Sequence, residues 1–167
     1  TGSTLSVQGG VTSGVALSVT GGGSIQFSGT PLSGSATLTK AGNGRLTLLS
    51  ANTAFTGTLS VNAGSAVLSG SGALGGSGAL VVQNGATLRV DNAGGSVLNR
   101  LGANRPLTLG GNLSFNGGTD ASLSEAVGVW TPAIGQSTLT IVAGNGMQAG
   151  LSVASIATPA GGASVLL

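Results

Sequence analysis

Apolar residues recur along this chain in pairs two positions apart, each pair following a turn rich in Gly or Asn. The segments are GSTLSV (2–7), GSIQF (23–27), GRLTL (44–48), GSAVL (64–68), GATLRV (85–90), GNLSF (111–115), QSTLTI (136–141) and GASVLL (162–167). They carry Leu5/Val7, Ile25/Phe27, Leu46/Leu48, Ala66/Leu68, Leu88/Val90, Leu113/Phe115, Leu139/Ile141 and Val165/Leu167, with first members 20, 21, 20, 22, 25, 26 and 26 residues apart. A second, interleaved ladder reads Val15/Leu17, Ala36/Leu38, Leu59/Val61, Leu80/Val82, Leu107/Leu109, Val127/Val129 and Leu151/Val153.

A period of two puts the aliphatic residues on one face of a strand and the Ser, Thr, Gln and Arg between them on the other. No segment repeats apolar residues at helical spacing, so helices are not expected. A strand of four to six residues cannot bury its apolar face alone, but strands returning at a constant interval cover one another. The pattern predicts an all-β chain, a parallel β-solenoid of about seven to eight coils of 20–26 residues with two main strands per coil. Seven intervals at the ~4.8 Å strand spacing give a rod of roughly 34 Å.

Asn43-Gly44, Asn84-Gly85, Asn116-Gly117 and Asn145-Gly146 fall between strands, where sharp turns favour Gly and Asn. Such pairs also suit antiparallel hairpins. The interval near 21 residues over four coils favours the solenoid, since sandwiches space strands roughly 8–12 residues apart with no longer period. A single domain over 1–167 is expected, compact over 1–90 and with longer coils over 91–167. The added length lies in Asp91–Pro106, Asn116–Glu125 and around Val142–Gly150, as loop excursions or a third strand.

Within Thr37–Asn92 the matches run Lys40, Gly42-Asn43-Gly44, Leu46-Thr47-Leu48, Ala51-Asn52-Thr53, Phe55-Thr56-Gly57, Val61-Asn62-Ala63-Gly64 and Gly72-Ala73-Leu74-Gly75. In this order the segment resembles the passenger-associated β-strand repeat of bacterial autotransporters. The resemblance covers about a third of the chain. It implies a right-handed parallel β-helix, exported and displayed at the bacterial cell surface, and it brings no catalytic residues.

Composition narrows the chemistry. Gly is 33 of 167 residues, charged residues are 5%, and there is no His or Cys. That removes Ser-His-Asp and Cys-His pairs and every His or Cys metal site. No catalytic residue, cofactor or metal is expected, and the chain reads as non-enzymatic. The five bases, for a net charge of +2, do not form the cluster that nucleic acid requires. Mean hydropathy is +0.46, yet no run approaches the roughly 18 apolar residues of a spanning helix. The chain starts at Thr1 without an initiator Met, which reads as a processed product or a fragment.

Arg89, Arg100, Arg105, Asp120 and Trp130 are candidates for surface binding. Arg89, Arg100 and Arg105, with Asp91, suit an anion or glycan patch, or serve as outward charges that keep the rod soluble. Trp130, beside Pro132, suits sugar stacking, or covers a core edge. Asp120 with Glu125 resembles a carboxylate pair for polysaccharide cleavage, or is two solvated loop acids. Neither end shows a polar cap, so Leu5, Val7, Val165 and Leu167 are candidates for end-to-end assembly. The expected role is an extracellular structural solenoid, a fibre subunit or the stalk of a surface protein, whose partner is a second copy or neighbouring repeats. The alternative is an adhesin that binds glycan or a host surface through the 91–125 loops.

Overall fold

The computed structural model describes residues 3–159 and 161–167. In chain order the strands are β1 (Thr4–Val7), β2 (Leu17–Val19), β3 (Ser24–Phe27), β4 (Leu38–Lys40), β5 (Arg45–Leu48), β6 (Ala51–Asn52), β7 (Leu59–Val61) and β8 (Ser65–Leu68). There follow β9 (Ala73–Leu74), β10 (Leu80–Val82), β11 (Thr87–Asp91), β12 (Arg105–Leu109) and β13 (Asn112–Asn116). The last are β14 (Leu123–Pro132), β15 (Gly135–Val142), β16 (Ala149–Ile156) and β17 (Ala163–Leu166). One sheet stacks β1, β3, β5, β8, β11, β13, β15 and β17, and the other β2, β4, β7, β10, β12, β14 and β16. Every pairing is parallel, so the chain winds as a β-solenoid of about seven turns.

Two inner columns of the first sheet follow the first apolar ladder. Leu5, Ile25, Leu46, Ala66, Leu88, Leu113 and Leu139 stack, as do Val7, Phe27, Leu48, Leu68, Val90, Phe115 and Ile141. Burying each Leu, Val or Phe in the middle of these columns contributes about 1.5–3 kcal/mol. A one-residue slip would turn a whole strand inside out, which fixes the register. At one corner β6 pairs with β9, and Leu32, Phe55, Leu74 and Leu101 fill the interior there.

Three expectations are corrected. In the last coil Val165 stands beside Ser137, because β17 pairs with the early half of β15, Gly135–Thr138, two residues short of the predicted register with Leu139. In the second sheet the inward pair of β2 is Leu17/Val19, and Val15 is 80% exposed. The columns there read Leu17, Leu38, Leu59, Leu80, Leu107, Trp130 and Val19, Lys40, Val61, Val82, Leu109, Pro132. Lys40 occupies an aliphatic slot, so a pattern of apolar pairs misses the register of β2 and β4. Finally, a β-bulge between Arg105 and Leu107 turns Trp130 inward and leaves Val129 outside. The longer coils past residue 91 hold longer strands as well as loops: β14 has 10 residues, and β15 and β16 have 8 each.

Candidate functional site

The buried cations come first, because they fix what is left for the surface. Arg105 starts β12 and shares the parity of Leu107 and Leu109, so it points inward and is fully buried. Its Nη1 donates to the carbonyls of Gly57 (3.0 Å) and Gly78 (2.8 Å), and its Nη2 to those of Phe55 (2.8 Å) and Gly75. Nε also donates to the Gly75 carbonyl at 3.0 Å, and the guanidinium lies 5.7 Å from the Phe55 ring centre. A buried carbonyl without a donor is costly. The fork of Arg105 supplies donors to four of them across the two coils below. Burial pulls its pKa down to about 10.

Arg100 is also fully buried. Its Nε donates to Asn92 Oδ1 (2.6 Å), Nη1 to the Gly72 carbonyl (2.6 Å), and Nη2 to those of Gly70 and Gly95 (2.7 Å each). Burial lowers its pKa, partly offset by Glu125 and Asp91. Lys40 donates from Nζ to the carbonyls of Ala41 (2.9 Å), Gly42 (2.7 Å) and Ala63 (3.3 Å), and burial lowers its pKa too.

Side-chain oxygens complete the corner ladder. Asn52 Oδ1 accepts from Leu32 N–H at 2.7 Å. Glu125 places one oxygen on Arg100 N–H and the other on Leu101 N–H, both at 2.9 Å. Burial raises the Glu125 pKa above its ordinary value of 4.5, opposed by those two amides and by the Arg100 charge. The folded state therefore holds the proton more tightly than the unfolded chain. Glu125 then contributes stability that is present below 4.5 and lost as pH rises through its raised folded value. Thermal unfolding followed by circular dichroism should show a melting temperature that rises as pH falls from neutral towards 4.5. A fall over that range would mean that the two amides outweigh desolvation.

These positions correct the surface reading of Arg100, Arg105 and Trp130, which are all interior. Each shares the inward parity of its strand or fills the corner where carbonyls need donors. Trp130 stacks over Leu107, with its indole N–H buried and without an acceptor among the described residues. Arg89 and Asp120 do lie at the surface. Arg89 pairs with Asp91 at 2.9 Å, a half-exposed ion pair of small energetic weight. Asp120 accepts a hydrogen bond from Ser96 Oγ. The two acids Asp120 and Glu125 thus differ in setting, one exposed and one enclosed with both oxygens occupied. Lys40 and Glu125 were legible candidates for interior roles, since each shares parity with an apolar neighbour, Leu38 and Val127 respectively.

The ends are the remaining feature. At one, Leu5 is 60% exposed and lines an open apolar hollow with Val7, Val11, Leu17, Ile25 and Phe27. At the other, Leu139, Ile141 and Leu167 line a second hollow, and β17 leaves the later half of β15 uncovered. Val165 of β17 is exposed. Charged residues run only from Lys40 to Glu125, so residues 1–39 and 126–167 carry none. No helix is long and apolar enough to cross a membrane among the described residues. Compared with protein-family models, curated proteins and solved structures, the chain matches none.

Proposed function

We propose that the chain is a non-enzymatic structural β-solenoid of the bacterial cell exterior, a fibre subunit or surface stalk whose ends are covered by a second copy or by neighbouring repeats of a longer chain. The observation that carries this reading is the emergence of the inner aliphatic columns, uncovered, at both ends of the rod. Strand edges that natural proteins leave exposed are usually guarded by charge. Here β1 and the open half of β15 have no charged residue, and each offers a short free strand of alternating apolar side chains. Joining unlike ends gives a heterologous contact, which propagates instead of closing. The likeness of Thr37–Asn92 to an autotransporter passenger repeat supports surface display.

Sedimentation velocity over a concentration series tests the reading. Assemblies should lengthen with concentration, and Leu5→Lys with Val7→Lys should return the protein to single rods of native circular dichroism. A wild type that stays a single rod at high concentration would defeat it. The adhesin reading has lost Arg100, Arg105 and Trp130 to the interior and rests on Arg89, Asp91 and Asp120.

A further inference from the structure

The four Asn-Gly pairs fall into two structural classes. In one, Ala86 N–H donates to the Gln83 carbonyl at 3.0 Å and Met147 N–H to the Gly144 carbonyl at 3.1 Å. These bonds close four-residue turns with Asn84 or Asn145 second and Gly85 (φ 78°) or Gly146 (φ 70°) third, the geometry of a type II turn. Both Asn residues are exposed. The amides of Gly85 and Gly146 have no acceptor among the described residues, and no atom lies within 4 Å of where a Cβ would stand on either Gly. In the other class the Gly amide is held in a ladder. Gly44 N–H donates to the Gly21 carbonyl at 2.9 Å, and Gly117 N–H to the Val142 carbonyl at 2.7 Å. Asn116 is itself a strand residue paired with Asp91 and Val142.

We propose that Asn84 and Asn145 are sites of spontaneous deamidation, and that the fold protects Asn43 and Asn116 from the same reaction. The backbone nitrogen of the following Gly attacks the side-chain Cγ, and a five-membered succinimide closes. The Cγ–Nδ2 bond breaks, and Nδ2 leaves as ammonia with the proton that the backbone nitrogen gives up. Solvent water then opens the ring at either carbonyl, giving Asp or isoaspartate, with no change of oxidation state. The nucleophile is the Gly amide nitrogen, so an amide already donating into a ladder must first be released by local opening. Gly85 and Gly146 have no such bond to release among the described residues.

The consequence is electrostatic. The chain has three carboxylates, and two conversions bring its formal net charge from +2 to zero. Asn84 lies between β10 and β11, and Asn145 between β15 and β16, outside the ladders. The rod therefore survives the change while its surface charge shifts with age.

The test is peptide mapping by mass spectrometry of the native protein during incubation at mildly alkaline pH, with a urea-unfolded sample alongside. In the native sample the gain of one mass unit and the isoaspartate should appear at positions 84 and 145. Positions 43 and 116 should react roughly tenfold more slowly or less, because reaction there waits on local opening. In urea all four should convert at similar rates. Isoelectric focusing should show two successive acidic steps, absent from the Asn84→Gln, Asn145→Gln double variant. Native conversion at 43 or 116 as fast as at 84, no conversion at 84 and 145 while the urea sample reacts, or steps that persist in the double variant would each overturn the proposal.

Discussion

Replacing Arg105 by Ala should lower the unfolding free energy by about 3–5 kcal/mol, the range for leaving buried polar partners uncompensated. The guanidinium donates to the carbonyls of Phe55, Gly57, Gly75 and Gly78, and nothing else in the side-chain hydrogen bonding of those four replaces it. Arg105→Lys keeps the charge but trades the planar fork for a compact ammonium, so it should recover only part of the loss. Urea unfolding followed by circular dichroism measures both. A solenoid loses coils locally, so amide exchange in β7 and β10 should be followed as well, and it should rise first. An Arg105→Ala protein as stable as the parent would mean that water satisfies the carbonyls in place of the side chain.

The second large effect is expected at Gly78→Ala. A Cβ there would overlap the carbonyl oxygen of Gly57, one of the oxygens that Arg105 uses. Both sides of the clash are backbone, so the coils must part. The nearby ladder bond from Leu59 N–H to the Ala79 carbonyl, 3.0 Å, is the first to lengthen. The cost should be about 3 kcal/mol, at the upper end for overpacking. Gly94→Ala is the matched control, since no atom lies within 4 Å of its Cβ position. Its melting temperature should be that of the parent, a change of no more than about 0.5 kcal/mol. Equal effects at the two positions would show that the close approach of the coils does not limit residue size.

The parallel stacking and the first-sheet register as far as Ile141 could be read from the apolar pairs, because their return at an interval near 21 residues favours strands that cover one another over the closer spacing of a sandwich, and so places Leu46, Leu88 and Leu113 in one column. The second sheet was less legible for one physical reason. A search for aliphatic pairs skips Lys40, and with it the frame of Val19 and Val61. Charge ordinarily marks an outward position, which holds for Arg89 and fails for Arg100 and Arg105. Arg105, Leu107 and Leu109 share parity, as do Glu125 and Val127, so the sequence held the signal that these side chains face inward. What it did not hold is which carbonyls would accept from Arg105 and which amides would donate to Glu125, because that depends on contacts as far as 50 residues away. The slip of β17 and the bulge at Arg105 are likewise products of coil length and have no local mark.

The reach of Arg105 also bears on how the rod behaves in tension. In a plain solenoid pulled along its length, each winding peels from the next at its own rupture, releasing about 7 nm of contour for some 21 residues. One side chain that grips the backbone two windings below ties that stretch into a single mechanical unit. The middle of the rod is thus a clasp, and the windings on either side of it are the compliant part of the spring.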